Sequence, residues 1–117
     1  MTISSGTLWF GGVLAATWIG AGIPKMAGKG PAIKARGRVG MTVKGMRLVG
    51  LAETSGGVGV AGGLWLFTPL AVLSSACLVA LMIGAIRAHL VNHDRWYGSF
   101  NAIMMGTLMV VLIARLV

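Results

Sequence analysis

The chain has 117 residues, of which 56% are hydrophobic and 10% charged, with a mean hydropathy of +0.88. Soluble domains carry about 25% charged residues, so this composition excludes an ordinary water-soluble domain and leaves a single small membrane domain. The net charge of +8 would point to nucleic acid in a soluble protein. Here the cations cluster between apolar runs, so membrane lipids with anionic headgroups are the expected partners and nucleic acid is not. A lone cysteine, Cys77, excludes an intrachain disulfide or a CxxC pair.

In chain order, Met1 to Pro24 carries no charged side chain. A span needs about 20 apolar residues, and a first membrane helix is expected over about 5–27. The segment lacks the basic n-region and A-x-A site of a cleaved leader, so it reads as a span. Residues 28–45 form a basic connection rich in Gly and Pro. Apolar sequence resumes over about 46–67, broken by Glu53, and Thr68-Pro69 turns the chain. A third span is expected over about 70–90, and a fourth over about 99–117 after the polar stretch VNHDRWYGS. The predicted fold is all-α, a four-transmembrane-helix bundle in one membrane domain, 1–117.

Cytoplasmic loops hold the excess of Lys and Arg. The first connection and its flanks hold Lys25, Lys29, Lys34, Arg36, Arg38, Lys44 and Arg47, while Arg87 and Arg95 flank the third connection. With nine of the ten basic residues around these two connections, both are expected in the cytoplasm and both termini outside, in a multi-pass protein of the cell membrane. The loop residues Lys34, Arg36 and Arg38 also offer a docking patch for an acidic soluble partner.

Glu53 lies about 10 Å inside the expected second helix at 1.5 Å per residue. A carboxyl at such depth is costly unless paired, protonated or beside water. The other acid, Asp94, falls in a loop. Helical spacing groups Thr17, Ala21 and Lys25 on one face, Val49, Glu53, Gly57 and Val60 on a second, and Ala76, Ala80, Gly84 and Arg87 on a third. Asn101, Met104, Met105 and Leu108 form the fourth. Lys25, Glu53, Arg87 and Asn101, with His89 at the edge, are expected to converge in the cytoplasmic half. Two readings of Glu53 stay open: a buried counter-ion for Arg87 or Lys25 that fixes packing, or a group that moves protons or binds a polar headgroup. Trp18, with Thr17, Met104 and Met105, could line a lipophilic pocket or simply pack.

Other signals have plainer readings. His89 and His93 stand four apart, but no third ligand is evident, so they read as an interfacial pair and no metal is expected. Cys77 reads as a small core residue. Gly57 to Gly62 fits G-x-G-x-x-G, yet it lies inside an apolar span without the preceding strand that a dinucleotide site requires. The overlapping Gly59-x-x-x-Gly63 reads as a close helix contact, within one chain or in a homo-oligomer. Trp9, Trp65 and Trp96 suit an interfacial aromatic belt.

AGIPKM at 21–26, RLVGLAETSGGVGVAGGL at 47–64 and LMIGAIRAHL at 81–90 resemble the DoxX-like family of DoxX- and MauE-type four-helix membrane proteins. Gly22 with Lys25 matches the family's Gly-x-x-Lys, Gly50 with Glu53 its Gly-x-x-Glu, and Gly84-Ala85 its Gly-Ala. The resemblance implies a membrane subunit or anchor in a redox or quinone-linked system, with Lys25 and Glu53 as the characteristic polar pair and quinone as the candidate cofactor. Since the cysteine pair of redox members is missing, no autonomous thiol chemistry is expected. The alternative is a cofactor-free membrane enzyme, an isomerase, cyclase or epoxide-opening catalyst. Its general acid/base would be Glu53, helped by Lys25, Arg87, His89 or Asn101.

Overall fold

The structure is a computed structural model and describes residues 3–93 and 96–117; the side chains of residues 35, 38 and 97 lie outside the description. Asp94 and Arg95, placed in the third connection by sequence, also lie outside the described residues. Four long helices dominate: α1 (Ser5–Met26), α3 (Val43–Leu66), α4 (Thr68–Val91) and α5 (Trp96–Leu116), with a short α2 (Pro31–Ala35) and a 3-10 turn (Arg36–Val39) in the first connection. Among the described residues there is no strand.

Local chemistry sets the boundaries. The Ser4 hydroxyl accepts from the Thr7 amide at 3.2 Å and starts α1, and Thr42 accepts from the Gly45 amide at 3.0 Å and starts α3; each satisfies an amide that the first turn leaves open. Phe67, in extended conformation, is the sole residue between α3 and α4, and Pro69 occupies the first turn of α4, where its missing N–H costs nothing. The helix start at Val43 puts Glu53 ten residues into α3 instead of the expected seven, about 15 Å along its axis.

The helices alternate in direction. Gly11 meets Leu64 while Gly22 meets Gly50, so α1 and α3 run antiparallel; Gly63 meets Ala71 while Gly56 meets Leu78, which makes α3 and α4 antiparallel; Met82 faces Gly106 and His89 faces Gly98 between α4 and α5. The first and third connections therefore share one end. Gly40, held at φ +70°, sits against Asn92 there, and a Cβ on it would come within 3.0 Å of the Asn92 Oδ1. Lys25, Lys29, Lys34, Arg36, Lys44, Arg47 and Arg87 belong to this basic end, and Arg115 closes α5 at the opposite one.

The core runs along the bundle axis through Leu14, Trp18, Val60, Leu64, Leu78, Met109 and Leu112. Outside it, Val13, Leu48, Val58, Leu73, Ile83, Phe100 and Val110 are exposed, an apolar surface far larger than a soluble monomer tolerates. The longest dimension, 45 Å, equals a bilayer with its headgroups, about 40–45 Å.

Among the described residues, three helices are long and apolar enough to cross a membrane: Ser5–Met26, Thr68–Val91 and, within α5, Gly98–Leu116. The sequence led us to expect four. In α3, Lys44, Arg47, Glu53 and seven glycines lower the hydropathy, although its 24 residues are ample in length.

The inward faces differ from those expected on three helices. On α1 the buried residues are Leu14, Ala15, Trp18 and Gly22, while Thr17 and Ala21 are exposed. On α4 Ala71, Ser75, Leu78 and Met82 are buried, whereas Ala76, Ala80, Gly84 and Arg87 point outward. On α5 Ala102, Met109, Leu112 and Leu116 are buried, while Asn101 and Met104 are exposed. One residue rotates a helix by about 100°. Where every face is apolar, small side chains alone do not mark the inner one. Cys77, expected in the core, is exposed for the same reason. On α3 the expected face holds: Glu53, Gly57 and Val60 are buried.

Candidate functional site

The site begins with two glycines. A Cβ on Gly50 would stand 2.5 Å from the Met26 amide nitrogen and 2.6 Å from the Gly22 carbonyl oxygen; one on Gly22 would stand 2.7 Å from the Gly50 oxygen. Only bare backbone allows α1 and α3 to touch here. Lys25 follows Gly22 by three residues and Glu53 follows Gly50 by three. In antiparallel helices the two offsets run in opposite directions from the glycine contact, and the long lysine side chain spans them by reaching inward: Lys25 Nζ donates to Glu53 Oε1 at 2.6 Å.

Glu53 is 2% exposed and the Lys25 side chain 20%, so the carboxylate lies inside the bundle and the lysine reaches inward to it from the basic end. The second oxygen, Oε2, is buried and has no hydrogen-bond partner among the described residues. Removing an ionised oxygen from water without a replacement donor is costly. One turn further in, Gly57 packs against Ile19 and the Trp18 Cβ. The Trp18 indole, 3% exposed, donates Nε1–H to Met109 Sδ at 3.1 Å. Two neighbouring side chains satisfy carbonyls beside the pair: Thr54 Oγ1 donates within α3 to the Gly50 carbonyl at 2.8 Å, and Arg47 Nε donates across to the Met26 carbonyl at 2.9 Å.

The expected convergence is therefore narrower than the sequence suggested. Lys25 and Glu53 meet. Arg87 and Asn101 are exposed on the outward faces of α4 and α5, because the inner face of each helix is rotated from the stripe that held them. His89 is half-buried against Gly98 at the α4–α5 contact. His93 lies beyond the end of α4 at φ 52°, so the two histidines do not share a helical face. Of the expected lipophilic pocket, Trp18 is buried and Met105 packs against the core, whereas Thr17 and Met104 turn outward; the four are not gathered around one interior space. The glycine-rich 57–62 segment lies mid-helix in α3, where Gly57 receives α1 and Gly59 receives α4 while Gly62 faces open space.

Arg47 and Ser75 were missed as notable positions. Arg47 entered only as one more basic residue, although an Arg one turn inside a helix start can reach the preceding helix's last carbonyls. Ser75 is fully buried, its hydroxyl without a partner among the described residues; its spacing from Ala71, Leu78 and Met82 at helical intervals is the signal that places it inward.

A bundle of apolar antiparallel helices, basic at one end, with a buried acid held by a lysine at a glycine-mediated crossing, defines a multi-pass integral membrane protein. The DoxX-like family model matches residues 10–114, and the chain belongs to that family. No curated protein and no solved structure matches it.

Proposed function

We propose that this DoxX-like chain is a membrane subunit of a redox-linked system, and that its Lys25–Glu53 pair receives the headgroup of a quinone-class lipophile. The observation that carries the reading is the buried Oε2 of Glu53, an acceptor without a donor among the described residues. A quinol hydroxyl would supply that donor, and the remaining N–H groups of Lys25 would serve the carbonyl of the oxidised form. The partly exposed lysine at the end of α1 opens the approach from the basic end. In this reading α3 crosses the cell membrane with the other three long helices, the basic end faces the cytoplasm, and the exposed Lys34 offers a contact for a partner subunit. The alternative of a cofactor-free enzyme asks Lys25, Arg87, His89 or Asn101 to assist the carboxyl. Lys25 does contact it, while the outward placement of Arg87 and Asn101 leaves that reading with fewer helpers; the quinone reading needs only the Lys25–Glu53 pair.

The test uses Trp18 as reporter, with Trp9, Trp65 and Trp96 replaced by Phe. A short-chain quinone should quench its fluorescence saturably. The paired substitution Lys25→Met with Glu53→Met removes both charges together and so preserves packing; it should abolish saturation. Quenching that rises only linearly with quinone, or that saturates equally in the paired variant, would overturn the proposal.

A further inference from the structure

The basic end carries a second feature, on the outside of the bundle and independent of the Lys25–Glu53 pair. A groove of about 620 Å³ runs beside the start of α3, lined by Met26, Val43, Lys44, Arg47, Leu48 and Leu51. Its chemistry is graded along the helix. Lys44 is the outermost cation, Arg47 lies one turn deeper, and Leu48 and Leu51 follow towards the bundle's middle, exposed by 57% and 48%. From Lys44 to Leu51 is about 10 Å at 1.5 Å per residue, the depth over which a membrane passes from headgroup to hydrocarbon.

The guanidinium is already oriented. Arg47 Nε donates to the Met26 carbonyl at 2.9 Å, which holds the side chain against the end of α1 and leaves both terminal nitrogens as a fork for a phosphate. The groove contains no acid to compete. Among its lining residues the polar side chains are both cations, and the rest are apolar.

From this gradient we infer that the groove is a binding site for one anionic glycerophospholipid. Its phosphate is held by Lys44 and Arg47, and the first methylenes of an acyl chain lie along Leu48 and Leu51. Charge complementarity selects the anionic headgroup, and the two leucines select a lipid over a free phosphate. Such a lipid would also cover the crossing of α1 and α3 from outside, next to the backbone contact that seats Lys25 on Glu53.

The site is tested on the full chain in a mild detergent by native mass spectrometry, with phosphatidylglycerol, phosphatidylcholine and glycerophosphate as probes. One phosphatidylglycerol should be retained in preference to phosphatidylcholine. Lys44→Gln should weaken that retention about five-fold, as expected for one interfacial cation, and Arg47→Gln by at least as much. Lys44 is exposed and its replacement leaves the helix contacts intact, so a folding defect is not in play. Lys34→Gln, outside the groove, should change nothing. Equal retention of both lipids, equal retention by Lys44→Gln and the unsubstituted chain, or displacement of the lipid by glycerophosphate would overturn the inference. Unlike quinone binding, this retention should survive in the paired Lys25→Met, Glu53→Met variant.

Discussion

At the scale of single residues, the Lys25–Glu53 pair predicts an asymmetry that a surface ion pair would not give. Lys25→Met strands a carboxyl that is 2% exposed, and removing one partner of a buried pair costs about 3 kcal/mol or more. Replacing both partners by methionine should restore most of the loss, because neither desolvated charge remains. Detergent unfolding of the two single variants and the paired one closes the cycle. Equal stability of Lys25→Met and the unsubstituted chain would show that the contact contributes nothing. Glycines separate in the same way. Gly50→Ala puts a methyl 2.5 Å from the Met26 nitrogen, so the backbones must part, at about 2 kcal/mol. Gly84→Ala meets nothing within 4 Å and should gain up to about 1 kcal/mol from helix propensity. Thermal unfolding of the two variants should therefore move in opposite directions.

At the scale of the element, helices were legible and their rotation was not. Ser4, Thr42 and the Thr68-Pro69 turn mark boundaries by chemistry that acts within a few residues, and a run of uncharged sequence marks a span by length alone. Which face turns inward is a different question. In a soluble helix the apolar stripe answers it; in α1, α4 and α5 the lipid side is as apolar as the core, so the choice of Trp18 over Thr17, or of Ser75 and Leu78 over Ala76 and Ala80, depends on fit between helices. On α3 the face was readable because Glu53 could not sit in hydrocarbon and the glycines around it mark close crossings. The same logic explains the site. Lys25 and Glu53 stand in glycine-spaced motifs and meet in the structure, whereas Arg87 and Asn101 were joined to them only through faces that the apolar pattern could not fix. The short-range cap on the first connection, from Arg36 Nη1 to the Ile33 carbonyl at 2.6 Å, was likewise hidden among basic residues that looked alike.

At the scale of the whole molecule, alternating helices put the 27–42 connection and the end of α4 at one end, with Phe67, the start of α1 and the end of α5 at the other. If α3 crosses the membrane, single cysteines at these ends must face opposite compartments. With Cys77 replaced by Ser, Gly37→Cys should resist an impermeant maleimide in intact cells and react after lysis, while Pro69→Cys should react from outside. Labelling of both positions from one side would show that α3 lies along the surface. The single extended residue between α3 and α4 has a bearing on biogenesis. Seven glycines and three charges make α3 a poor candidate for entering hydrocarbon unaided, whereas α4 is the most apolar of the long helices. If α3 crosses the membrane, its junction to α4 through Phe67 alone means that the two enter as a hairpin, with the more apolar α4 drawing in α3 and its acid.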